Sequence, residues 1–260
     1  MNQIKPYLVT DEIIKRVESL LDWYREAQND PRSKVLPHPI KGRWKKWDDN
    51  RLWCSFFFCI GVPGGSRVAR DYIEPIEEGL LEFELRPEIL LPLSSADRLT
   101  KIWKFGRGRN RLNKALGRFF SKPQNMGATS SCEYKINQIF SALAEKGFMK
   151  WFEEIDMLGD DIKKVDSLQY LHGVKQKVSR DFLNDIGMTD SVIPLDVHIL
   201  SEMHNIWGWS VPKETPQGRD IYLAIEDGVR EVANKLNCTV VEIDKSIYFA
   251  RMTREFTAGH

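Results

Sequence analysis

A lysine and an aspartate carry the chemistry for which this chain can be read. Lys177 follows the run Leu171-His172-Gly173-Val174-Lys175-Gln176, a tight glycine turn that opens a helix, and falls in that helix's first turn. Asp196 stands 19 positions further on, after Pro194 and Leu195, and begins a new apolar-periodic run of Val197, Ile199, Leu200 and Met203. That is an N-cap signature: a carboxylate accepts the orphan backbone N–H groups and sits at the positive end of the helix dipole. A neutral amine is a nucleophile that can form a Schiff base. An exposed lysine, with a pKa of about 10.4, is almost wholly protonated, so the chemistry requires a cleft apolar enough to lower it. A carboxylate alongside stabilises a developing positive charge and helps take the amine's proton. Each residue also has a plainer role: a solvated or phosphate-binding lysine, an aspartate that only caps its helix, or a structural ion pair of the two.

The elements that must position them are helical. Apolar residues Ile13, Ile14, Val17, Leu20, Leu21 and Tyr24 give Asp11 to Gln28 a helical period, with Thr10 as N-cap. Residues 29–50 read as a polar, basic connector, and Arg51 to Ile60 as an apolar helix ended by Pro63-Gly64-Gly65. Helical patterns recur near 66–79, 94–105, 109–121, 131–146, 147–157 and 161–171. The helix of Lys177 runs to about Ile186 and turns at Gly187; Gly218 to Leu236 and Val240 to Thr253 complete the set. Only Leu81 to Leu85 alternates as an extended segment would. The chain reads as all-α.

With 260 residues, 42% of them hydrophobic and 29% charged, the chain has the length and composition of a soluble globular protein with a sizeable core. A net charge of +1 excludes a uniformly basic nucleic-acid binder. Cys54, Cys59, Cys132 and Cys238 lack C-x-x-C spacing, so neither a zinc site nor an iron–sulfur cluster is expected. Met1 to Thr10 has no apolar signal region, and Leu52 to Val62, the longest apolar stretch, is too short to span a bilayer.

Leu171, Gly173, Val174, Lys177 and Val178, followed by Leu195, Asp196, Val197 and His198, resemble the motif of the helix-hairpin-helix (HhH-GPD) DNA glycosylase superfamily. The Lys-to-Asp spacing and Pro194-Leu195-Asp196-Val197-His198 are similar to its 8-oxoguanine branch. The specific match covers about thirty residues, with a weaker likeness over Val232 to Ile247. His172 replaces the usual proline and Lys175 the second glycine, so a lysine charge would reach a phosphate where backbone usually does. The four-cysteine cluster of the endonuclease III branch is missing.

The resemblance implies two helical lobes, residues 1–45 with 192–260 and residues 46–191, with the motif beside the cleft. It implies a bifunctional glycosylase and abasic-site lyase acting as a monomer on double-stranded DNA with a damaged base, in the cytoplasm or nucleoid, or the nucleus of a eukaryote. An oxidised purine, 8-oxoguanine first, is the expected lesion. Lys177 would be the nucleophile and Asp196 its carboxylate, with no metal or cofactor. Gly173, Val174, Lys175 and Gln176 would form a phosphate site at a helix start, or an ordinary helical corner. His198 would touch phosphate or serve the structure. Asp181, one turn after Lys177, would border the base pocket or be a solvated acid. Arg67 would wedge into the minor groove or be a turn residue. Trp207 and Trp209 would stack on a flipped base, with core packing the commoner fate of tryptophan. No acid occurs between Arg98 and Cys132, where nine basic residues end at Lys122 and suit phosphate tracking or a solvated face; Lys41 to Lys46 is a lesser version. Two other functions fit these residues: a non-catalytic DNA-binding module, and a monofunctional glycosylase in which Asp196 activates water.

Overall fold

The computed structural model describes residues 7–30, 40–61, 92–94, 97, 147–170 and 174–257. The helical patterns expected between 66 and 146, the extended segment 81–85, Arg67 and the basic run from Arg98 lie outside the described residues. Eight α-helices are described: α1 (Asp11–Asn29), α2 (Asp49–Gly61), α3 (Phe148–Asp156), α4 (Asp161–Gln169), α5 (Gln176–Asp185), α6 (Val197–Glu202), α7 (Arg219–Lys235) and α8 (Val240–Thr257). A 3-10 turn at Arg43–Lys46 precedes α2, and a π-helical turn at Met203–Trp207 extends α6. The described residues contain no strand, and the fold is all-α.

The chain divides into two compact units, Met1–Lys41 with Ser179–His260, and Gly42–Val178. The divisions fall at 41/42 and 178/179, where the sequence suggests crossings near 46 and 192. The second shift has a physical reason: α5 is tied into the first unit by Arg180, whose guanidinium is buried against Glu226 of α7.

In the first unit α1 begins at Thr10, whose Oγ1 accepts the Ile13 N–H at 3.3 Å. Its stripe Ile13, Val17, Leu20, Leu21 and Tyr24 is buried, and α1 packs on α8 and on the π-helical turn. α8 starts with a capping box: the Glu242 N–H donates to Thr239 Oγ1 at 3.1 Å, and the Thr239 N–H donates to Glu242 Oε2 at 3.0 Å. Trp209 anchors the N-terminal segment by donating from Nε1 to the Leu8 carbonyl at 3.1 Å. Its ring so crowds Gly228 of α7 that a Cβ there would lie 2.6 Å from Trp209 Cη2.

The described part of the second unit is built on aromatic rings. Phe56 of α2 meets Phe148, Trp151 and Phe152 of α3 edge-on, and Phe148 stacks on Phe152 at 5.8 Å. Asp49 accepts the Met149 N–H at 2.8 Å, placing a carboxylate at the N-terminus of α3. α4 is capped by Asp160, which accepts the Lys163 N–H at 2.9 Å.

Candidate active site

Lys177 is the second residue of α5 and is half-buried. Val174 and Gln176 before it are buried, and Lys175 is exposed. Gly173 lies outside the described residues. α5 ends as its sequence suggests, with Gly187 in the left-handed region at φ 69°.

Asp196 is the N-cap of α6. Its Oδ1 accepts the His198 and Ile199 N–H groups, both at 2.9 Å, from an extended backbone at φ −99° and ψ 175°. Leu195 before it and Ile199 after it are buried, so the carboxylate is held by its own helix and by the core. His198 is half-buried in the first turn of α6.

Among the described residues the segment leading to Asp196 has no regular partner strand or helix, and side chains bind its backbone. The Ile193 N–H donates to Glu226 Oε1 at 2.9 Å, and the Leu195 N–H to Tyr222 Oη at 2.6 Å. Tyr222 Oη in turn donates to the Ile193 carbonyl at 3.0 Å, and Asn184 Nδ2 to the Val192 carbonyl at 2.9 Å. Burial pushes the Tyr222 phenol well above its usual range, against the nearby Arg180 charge, so it stays protonated and able to donate.

Further charges gather near Asp196. Asp244 of α8 is 4% exposed. Burial first, and then the charges of Asp181 and Asp196, push its carboxyl up to about 6, while Lys245 pulls it down. Lys245 lies 3.4 Å from Asp244 and 3.8 Å from Asp185. Burial disfavours its ammonium, but Asp244, Asp185 and Asp181 raise its pKa above the usual value and keep it charged. Asp181 is half-buried and contributes to these fields, while its neighbour Arg180 turns to Glu226. Acids around Asp196 favour a developing cation beside it.

No model of a protein family matches the chain. Over 125 residues, 46% of the chain, it is 26% identical to the 8-oxoguanine DNA glycosylase/AP lyase of Saccharolobus solfataricus, a match spanning 60% of that protein's length. Three solved structures align along nearly all of it. The 8-oxoguanine glycosylase/lyase of Methanocaldococcus jannaschii, in complex with a 15mer DNA containing 8-oxoguanine, is 18% identical with TM-score 0.55, covering 93% of this chain and 97% of its own. The same organism's 8-oxoguanine DNA glycosylase in a second structure is 19% identical with TM-score 0.57, covering 92% of this chain and 93% of its own. The 8-oxoguanine DNA glycosylase of Thermotoga maritima is 17% identical with TM-score 0.55, over 90% and 96%. The chain has the 8-oxoguanine glycosylase fold. The likeness first read from the Lys177 and Asp196 motifs thus extends at the level of fold over nine-tenths of the chain.

Within that glycosylase fold Trp207 and Trp209 are core residues, 3% and 5% exposed and packed edge-on at 4.6 Å. Trp207 Nε1 is buried with no hydrogen-bond partner among the described residues. Sequence reasoning missed Tyr222, Glu226, Asp244 and Lys245. A faint signal existed: Glu226 interrupts the apolar period Tyr222, Ile225, Val229, Val232 of α7, and an acid there must be buried and partnered.

Proposed function

We propose that this chain is a base-excision DNA glycosylase with abasic-site lyase activity, removing an oxidised purine, 8-oxoguanine first, from double-stranded DNA. Lys177 Nζ, as the neutral amine, attacks C1′ of the extruded nucleotide. The N-glycosidic bond breaks and its electron pair leaves with the base, which takes up a proton. The aminal opens to a Schiff base between Nζ and C1′, and loss of a C2′ proton expels the 3′ phosphate by β-elimination. Asp196 stabilises the positive charge at C1′ and accepts the proton that the amine sheds. The chemistry needs no metal or cofactor.

The observation that carries this reading is the state of Asp196. It is pinned by two bonds to the N-terminus of α6, 19 residues after a lysine in the first turn of α5, within a glycosylase fold. Val174, Lys175 and Gln176, with Gly173, would hold a phosphate at the start of α5, and His198 one at the start of α6. Arg67 would enter the minor groove, and Asp181 would border the base. The enzyme would act as a monomer wherever genomic DNA lies: the cytoplasm or nucleoid of a prokaryote, or the nucleus of a eukaryote.

Borohydride trapping on a duplex containing 8-oxoguanine, and on one containing an abasic site, tests the proposal. A covalent adduct is expected with the wild type and none with Lys177→Gln. Base release without an adduct would leave a monofunctional glycosylase, and DNA binding with neither would leave a binding module.

A further inference from the structure

Glu226 is fully buried, and its carboxylate bonds two different segments of the first unit. Oε1 accepts from Arg180 Nε at 2.7 Å and from the Ile193 N–H at 2.9 Å. Oε2 accepts from Arg180 Nη2 at 2.9 Å and lies 3.3 Å from Arg230 Nη1. Arg180 stands three residues after Lys177 on α5, and Ile193 three residues before Asp196. One oxygen atom therefore bonds both the helix of the proposed nucleophile and the loop of the proposed carboxylate. Tyr222, one turn earlier on α7, repeats the arrangement. Its ring lies under the Arg180 guanidinium at 4.2 Å, and its hydroxyl bonds Ile193 and Leu195.

We propose that Glu226 and Tyr222, acting with Arg180, are positioning residues of the site: they set α5 against the Ile193–Asp196 loop and so aim the Asp196 carboxylate. The inference rests on the glycosylase reading of Lys177 and Asp196. Stability alone is a poor reason for this network, since a buried ion pair replaced by apolar residues of similar volume is often neutral or stabilising. What directional bonds of 2.6 to 3.0 Å add is fixed geometry, and catalysis is sensitive to displacements of about 1 Å.

The test uses the full chain in single-turnover reactions on an 8-oxoguanine duplex, below the melting temperature of each variant. Tyr222→Phe removes one hydroxyl and keeps the ring under Arg180; Glu226→Gln keeps size and removes charge. Both are expected to slow base release and borohydride-trapped adduct formation by about 10- to 100-fold, with duplex affinity changed less than about twofold. In an Asp196→Asn background Tyr222→Phe is expected to add almost nothing, because its effect passes through that carboxylate. A folded Tyr222→Phe with the wild-type rate overturns the inference, as does an equal loss with Asp196 and with Asn at that position. Tyr222→Phe decides alone if Glu226→Gln fails to fold. A wild type that neither releases base nor traps sinks the glycosylase reading and this inference together; an active wild type with unmoved Tyr222→Phe sinks this inference only.

Discussion

A carboxylate that caps a helix can be neutralised without being removed. Asparagine caps about as well as aspartate, so Asp196→Asn keeps acceptors for the His198 and Ile199 N–H groups while losing the charge. The expected outcome is a melting temperature close to wild type and a base-release rate lower by about 100- to 10,000-fold. Calorimetry beside single-turnover kinetics checks both halves; a large fall in stability with unchanged rate would assign the residue to capping alone. Asp244 offers a second measurement. Its carboxyl, lifted to about 6 by burial and by Asp181 and Asp196, lies above its unfolded value of about 3.9. A carboxyl with a raised folded value prefers its proton in the folded chain. Its contribution to stability is complete below about pH 4 and is lost as pH rises through about 6. Asp244→Asn has no such group. The melting temperature of the variant minus that of wild type is therefore expected to climb between about pH 4 and pH 7 and then level off. A difference that stays flat over that window contradicts the burial argument.

At the scale of helices, α7 packs where its sequence is smallest. Glycine within a helix is ordinarily worse than alanine by about 1 kcal/mol, yet Gly228→Ala is expected to destabilise. The new Cβ would fall 2.6 Å from Trp209 Cη2 and 3.2 Å from Tyr7 Cβ. Trp209 cannot easily retreat, because its Nε1 is bonded to the Leu8 carbonyl and Trp207 abuts its ring. Overpacking of this kind costs about 1–3 kcal/mol, readable as a lower denaturation midpoint, and a raised midpoint would show that the tryptophan moves. The helices themselves were largely legible. Thr10 and its apolar period mark α1, Gly187 stops α5, and Asp196 after Pro194 starts α6, because capping and periodicity are local. What joins the helices was not. Glu226 meets Arg180 across 46 positions, and no local pattern names a partner at that distance. Trp207 and Trp209 were ambiguous for another reason: a ring that packs in a core and a ring that stacks on a base have the same composition. The π-helical turn after α6 left no mark in the sequence at all.

Over the whole molecule, a net charge of +1 means that the DNA affinity required by the proposed function must come from how charge is distributed. The acid-free run from Arg98 to Lys122 is the strongest such segment in the sequence. If Arg107, Arg109 and Arg111 each neutralise one phosphate, changing all three to glutamine lowers the slope of log affinity against log salt by about 3. Titrations at four salt concentrations measure it, and an unchanged slope would return the run to a solvated face. The first unit has one more property, and it concerns synthesis. Its core unites α1 with α8, which leaves the ribosome about 200 residues later. At bacterial or eukaryotic rates of translation that delay is roughly 10–40 s. All of Gly42–Val178 is made in the interval, while the apolar stripe of α1 waits without its cover. A chain ended before α8 is therefore expected to expose the apolar stripe of α1, which makes such a fragment prone to association.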